Sequence, residues 1–206
     1  MVFFTGFQTT DSDFSGMEGT NCNCSAESAA AMRQAISGMP LHSVHMIGTG
    51  DYHYISLFWA ERVSEPFTFL LYDNHPDDQP DAFGAGMITC GSWMKDIREL
   101  DLCKGTIWVD GKGSMTENGV CRELPLYISI DLDILTSAYA RTGWDQGDVT
   151  LEWLTSSLAG MCRDRRIIGV DICGGLTIRK GASTEDLATN AGTVKTLSGF
   201  FRKITG

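Results

Sequence analysis

Three stretches of this chain end an apolar run in residues that bind cations or move protons. In Phe67-Thr-Phe-Leu-Leu-Tyr-Asp73-Asn-His75-Pro-Asp77-Asp78, a strand-like segment runs into Asp-x-His-x-Asp. Alternation along an extended chain points residues 73, 75 and 77 to one side, so oxygen and nitrogen donors converge where the strand stops. Leu126-Tyr-Ile-Ser-Ile-Asp131-Leu-Asp133 does the same with two carboxylates. Met46-Ile-Gly-Thr-Gly-Asp51-Tyr-His53 closes a third apolar run with glycines, an acid and a histidine. A single acid at a strand end is ordinarily a helix cap or a solvated turn residue. Four brought together, Asp73, Asp77, Asp131 and Asp133, repel one another and raise one another's pKa values unless cations neutralise them. Two divalent ions would match those four charges. Carboxylate and imidazole donors without a thiolate favour manganese, iron or cobalt, with zinc as a further alternative.

Such donors converge only if the elements carrying them lie side by side. Apolar, β-branched segments alternate with helix-like ones along the chain, the pattern of a mainly parallel sheet covered by helices on both faces. The expected fold class is therefore a three-layer α/β/α sandwich. Strands are predicted at Val2–Phe7, Ser43–Ile47, Phe67–Tyr72, Gly105–Val109, Leu126–Ile130 and Arg166–Ile172. Helices are predicted at Ala26–Ser37, His53–Val63, Gly91–Glu99, Leu151–Cys162 and Thr184–Lys203, the last opened by Ser183-x-x-Asp186, which resembles a capping box. Ligands of open parallel sheets bind beyond the carboxyl ends of the strands, which is where the three motifs fall. No repeat, low-complexity tract or linker divides the 206 residues, so a single domain over 1–206 is expected.

With 26 acidic against 16 basic side chains the formal net charge is −10, which argues against nucleic acid and anionic membranes as partners and leaves a small-molecule substrate. No apolar run approaches the roughly 18–20 residues that span a bilayer, and Met1–Phe7 lacks the basic lead-in and length of a signal peptide, so a cytoplasmic location is expected. Seven scattered cysteines, at 22, 24, 90, 103, 121, 162 and 173, fit reduced thiols better than a disulfide framework. Cys22-x-Cys24 has no second Cys/His pair at zinc-finger spacing.

The three motifs in this order resemble the ureohydrolase family, the arginases, agmatinases and relatives of the arginase–deacetylase fold, over roughly residues 46–175. The resemblance implies a binuclear manganese centre at the strand ends. Asp73 and Asp131 would bridge both ions, His53 and Asp77 would complete one, and His75 and Asp133 the other. It also implies hydrolysis: a metal-bridging water, acidified to hydroxide, attacks an sp² carbon while the metals stabilise the developing charge. The substrate bond would be a linear non-peptide C–N bond, in an amidine, a guanidine or an amide. Two other readings stay open, a catalytically silent metal- or ligand-binding relative and a mononuclear deacetylase-like amidohydrolase. Asp77 and His53 speak against the second of these.

Several positions depart from the family pattern. His53 follows Asp51 by two residues where the family has Gly-Gly-Asp-His, which leaves His45 and His42 as competing ligands. An arginase proton-shuttle histidine falls, counted from His75, near Cys90. A thiol there would relay protons or attack as thiolate, or would simply pack. In Val170-Asp171-Ile-Cys173-Gly174, Gly174 takes the place of the glutamate that engages a guanidinium, so arginine and agmatine are doubtful substrates. Glutamate at 174 is then expected to raise activity on guanidinium compounds. Asp171 either orients a ligand from behind or caps the strand. Trp144 and Gln146, in Gly143-Trp-Asp-Gln-Gly147, are expected to line the substrate mouth, the Trp as a wall and the Gln as a donor to a neutral amide. Asp51 and Asp78 read as rim acids. The chain is about a third shorter than the resemblance leads one to expect for a core of this type, and the homo-oligomer common in that family would lack part of its interface.

Overall fold

The computed structural model describes residues 6–80 and 87–206. In chain order the strands are β1 (Thr9–Asp11), β2 (Asn23–Cys24), β3 (Val44–Gly48), β4 (Phe67–Tyr72), β5 (Ile88–Thr89), β6 (Cys103–Val109), β7 (Met115–Asn118), β8 (Leu126–Asp131) and β9 (Ile167–Cys173). The helices are α1 (Ala26–Ile36), α2 (Ile55–Ala60), α3 (Met94–Glu99), α4 (Leu151–Met161) and α5 (Thr184–Thr205). The main sheet runs β1-β3-β9-β8-β4-β6-β7 and is parallel except for its last pair, β6 with β7. β2 and β5 form a separate antiparallel ribbon.

The central strands β4, β8 and β9 are buried along their whole length, which is why they read as unbroken apolar runs. Alternation splits each strand between two cores. Phe67, Phe69, Leu71 and Tyr127 face the layer of α1, α2 and α3, packing with Phe58, Trp59 and Trp93. Leu70, Tyr72, Ile128 and Ile130 face the layer of α4 and α5, packing with Leu154, Leu158, Leu197 and Phe201. Each such side chain contributes roughly 1.5–3 kcal/mol on burial. Helix starts are fixed locally. The Ser25 hydroxyl accepts from the Ser28 N–H, the Thr150 hydroxyl from the Trp153 N–H, and Ser183 and Asp186 form both halves of a capping box.

The departures from expectation lie at the edges. The first strand was expected at Val2–Phe7; residues 2–5 lie outside the described residues, and the edge strand is Thr9–Asp11, beside β3. That segment is too polar to announce itself, as is β7, whose four residues are all exposed. An edge strand buries too little to leave an apolar pattern. α2 begins at Ile55, not His53, because Gly50–Tyr52 forms a 3-10 turn ahead of it, and α3 begins at Met94, not Gly91.

Asp171 belongs to this framework and is hydrogen-bonded to none of His53, Asp73, His75, Asp77, Asp131 and Asp133. On β9 it lies opposite His45 of β3, with both side chains inaccessible to solvent. Its Oδ1 is 2.7 Å from His45 Nδ1 and accepts the Tyr127 hydroxyl at 2.9 Å. His45 Nε2 faces the Pro40 carbonyl at 3.1 Å, and the ring stacks on Trp59 with centroids 3.5 Å apart. The expectation that Asp171 serves the site is corrected accordingly: its Oδ1 fastens β3, β8 and β9 together, while Oδ2 is buried without a hydrogen-bond partner. Asp171→Ala should therefore cost about 3–5 kcal/mol of stability, the penalty for stranding one half of a buried pair, as read by urea unfolding. An unchanged midpoint would show that the pair is not needed.

Candidate metal centre

Tyr72 of β4 is in register with Ile130 of β8, so the next residues, Asp73 and Asp131, leave the sheet side by side. By alternation both point toward the layer of α2 and α3, as does Ser129 one step earlier. The third contributor arrives from β3 through the 3-10 turn Gly50–Tyr52, with His53 as its C-terminal cap. That turn absorbs the extra residue between Asp51 and the histidine and delivers a buried imidazole to the carboxylates. Gly50 is required there, since a Cβ would lie 2.8 Å from Trp144 Cδ1 and 3.2 Å from Asp131 Oδ2.

His53 Nδ1 lies 2.9 Å from Asp73 Oδ2 and 3.4 Å from both Asp77 Oδ2 and Asp131 Oδ2. It is buried, yet no partner meets it in good hydrogen-bond geometry. The other ring nitrogen, Nε2, is 2.8 Å from Ser129 Oγ, which is in turn 2.9 Å from Ser56 Oγ. Burial opposes protonation of His53, but the carboxylates, Asp73 first, outweigh it and hold the imidazole well above its ordinary pKa. His75 completes a second group. Its Nδ1 is 2.9 Å from Asp133 Oδ2 and 3.6 Å from Asp73 Oδ1, and Asp133 chiefly, then Asp73, raises it to about 10.

The donor atoms fall into two triads, His53 with Asp73 and Asp131, and Asp73 with His75 and Asp133, each within 4.8 Å of one another. Asp73 is shared. Asp131 stands in the first triad alone, where the resemblance has it bridging as well. Asp77 stands outside both, near His53, with its Oδ2 accepting the Trp93 indole N–H at 2.7 Å. The carboxylates are strained by proximity: burial, then Asp133 and Asp73, push Asp131 well above the usual carboxylate range. Burial and Asp73 push Asp133 up to about 6. Such a set is expensive without a counter-charge and is stabilised by cations.

A cleft of about 290 Å³ opens over these groups, walled by Trp144, Gln79, Cys90 and Asp145. Trp144 is 43% exposed, its ring 6.2 Å from that of His75, and its indole N–H donates to Asp51 at 3.2 Å. Asp51, also paired with Lys180, braces the rim, while Asp78 pairs with Arg98 at the surface. Cys90 lines the cleft as a thiol, since burial pushes its pKa far up. This counters the reading of Cys90 as a thiolate nucleophile. Gln146 is corrected as a substrate contact: its amide N–H groups go to the Leu135 and Ala140 carbonyls at 2.8 and 3.2 Å. His42 and His45 are no ligands either, His42 Nδ1 being 2.8 Å from the Ile168 carbonyl. Sequence reasoning missed Ser129 and Trp93 as supports. Ser129 was visible two residues before Asp131, but only the approach of α2 gives its hydroxyl a role.

Gly174 lies beside Asp131 and is not among the residues lining the cleft. Its φ is +104°, and a Cβ would lie 2.0 Å from Asp131 Oδ1 and 2.8 Å from the Leu132 nitrogen. The position supports Asp131 from behind, so the expected gain from glutamate there is withdrawn. Gly174→Glu and Gly174→Ala should both lose about 1–3 kcal/mol or more through backbone strain and overpacking, measured by urea unfolding, with no gain on guanidinium compounds.

No protein-family model matches the chain. A protein of Thermotoga maritima described as uncharacterized is 30% identical over 153 residues, an alignment covering 66% of this chain and 60% of that one. Among solved structures, formimidoylglutamase from Bacillus subtilis superposes with a TM-score of 0.62 at 13% identity, over 86% of this chain and 67% of that one. Proclavaminate amidino hydrolase from Streptomyces clavuligerus gives 0.62 at 17%, over 87% and 71%. Arginase from Medicago truncatula gives 0.55 at 18%, over 78% and 59%. At these identities the likeness is one of architecture: the chain has the arginase-like three-layer α/β fold.

Proposed function

We propose that this chain is a metal-dependent hydrolase of a linear C–N bond outside peptides, with two divalent ions, manganese first among the candidates, held by His53, Asp73, His75, Asp77, Asp131 and Asp133. The observation that carries the reading is His53: a buried ring nitrogen without a hydrogen-bond partner is aimed among three carboxylate oxygens while Ser129 fixes the opposite nitrogen. That is how a metal-ligating imidazole is held from behind. The resemblance of the motifs and the fold shared with amidine-cleaving enzymes support the same reading.

When bound, the two ions would supply an acidified water and a positive field on the carbon under attack. The chain's own residues do the rest. Asp73 belongs to both donor triads and fixes their spacing, helped by the His75 N–H that donates to its Oδ1 at 2.6 Å. Asp133 is aimed by the Asn74 N–H at 3.1 Å. Trp144 walls the cleft and limits water, and the exposed carboxylate of Asp145 stands at its mouth. The strand end where the resemblance places a guanidinium-binding glutamate has no room for a side chain. Arginine and agmatine are therefore poor substrates in this reading, and a less strongly cationic amidine or an amide suits the cleft better.

Metal analysis of protein purified without chelator should find close to two transition-metal ions per chain. Asp73→Ala should abolish both, whereas His53→Ala should remove one, because His53 belongs to a single triad; two ions retained by Asp73→Ala would sink the assignment. Binding must displace the proton that His75 holds in the metal-free site, so Mn²⁺ affinity should rise from pH 6 to pH 8 in titration calorimetry, with proton release. At about 100 times Kd the ions should add about 2.7 kcal/mol of stability.

A screen of amidines, guanidines and acylated amines with manganese-loaded protein, reading released ammonia, urea or amine, tests the activity. Turnover of at least one amidine or amide above arginine is expected. Full metal content with no turnover anywhere would mean a metal-binding protein without this chemistry.

A further inference from the structure

Cys22 and Cys90 take no part in the proposed hydrolysis, and their placement is independent of it. In the β2–β5 ribbon Asn23 lies opposite Thr89 and Cys24 opposite Ile88. One step beyond the strand ends the same register sets Cys22 opposite Cys90; Cys22 turns there into the left-handed region at φ +60°, and one backbone bond joins the pair, the Cys90 N–H donating to the Cys22 carbonyl at 2.9 Å. Directly opposed residues that share ladder bonds have Cα atoms about 5.5 Å apart, inside the roughly 4.4–6.8 Å that a disulfide spans. The Cys22 sulfur is near enough to Cys90 to help raise its pKa, after burial. Both are half-buried and reachable by a small oxidant. Among the described residues no other two cysteines face each other across a ladder.

We propose that Cys22 and Cys90 are a site of reversible oxidation, joined by a peroxide into a disulfide that fastens the β2–β5 ribbon along the wall of the cleft. Cys22, the less buried of the two, gives up its proton and attacks the O–O bond of hydrogen peroxide, forming S–O and releasing water as that proton is taken up. The second sulfur then attacks the first, forming S–S and breaking S–O, with the second oxygen leaving as water. Two electrons pass from the sulfurs to the peroxide, and the two thiol protons end in the two waters. The ribbon matters to the cleft because Cys90 and Gly91 line it, while Cys22 lies near enough to Asp51, the partner of Trp144 and Lys180, for that carboxylate to raise its pKa after burial.

The test treats the full chain with hydrogen peroxide, counts thiols after denaturation and maps peptides without reduction. Free thiols should fall from seven to five, and one cross-linked peptide pair should join residues 22 and 90. Closing a loop of this length should raise Tm by roughly 5–10 °C, reversed by dithiothreitol. Cys22→Ser and Cys90→Ser should each abolish both the cross-link and the shift. Seven remaining thiols, a cross-link between other cysteines, or Cys90 oxidised to sulfinate with Cys22 free would overturn the proposal. If a serine variant does not fold, the peptide map of the unaltered chain decides alone.

Discussion

Asp73 and Asp131 leave adjacent strands at the same level because Tyr72 and Ile130 are in register, and Asp77 and Asp133 follow within a few residues, all of them shielded from water. Charges of one sign held that close out of solvent push one another toward protonation, and the raised pKa values of Asp131 and Asp133 record it. A fold can tolerate the arrangement only if something positive enters or if the rest of the structure holds the groups against their repulsion. The second condition accounts for much of what surrounds them. Trp93, Asn74 and the His75 N–H each donate to one of these carboxylates, Gly174 makes room for Asp131 where a Cβ would displace it, and Gly50 leaves space chiefly for Trp144.

The same constraint explains why the two histidines differ. His53 is buried with one nitrogen anchored by Ser129 and the other left to the carboxylates, so its orientation is set by the core. His75 sits on the loop beyond β4, partly exposed, with its backbone N–H on Asp73 and its ring held at hydrogen-bond distance by Asp133. One imidazole is thus positioned by packing and the other by a charge pair. Behind them, the His45–Asp171–Tyr127 cluster ties β3, β8 and β9 together, so the strand ends that carry the donors keep their spacing.

The architecture was legible where burial is two-sided. Phe67–Tyr72 matches β4 residue for residue, and β8 and β9 differ from expectation by a residue at their ends, because strands covered on both faces must be apolar throughout. The capping box of α5 was equally plain. Thr9–Asp11 and Met115–Asn118 were not, since edge strands are held by backbone hydrogen bonds that any side chain permits.

By itself the sequence determined the chemistry of the donors: which residue types stand at the ends of apolar runs follows from spacing and alternation alone. Only the tertiary structure decided which of the remaining polar residues join them. It turned Asp171 inward to His45, gave Gln146 to backbone carbonyls, chose His53 over His45 and His42, and made Gly174 a support for Asp131 rather than a gap in the cleft. Each of these depends on a neighbour more than 30 residues away except Gln146, whose partners lie in its own loop, and such pairings are set by register and layer packing that local pattern does not encode.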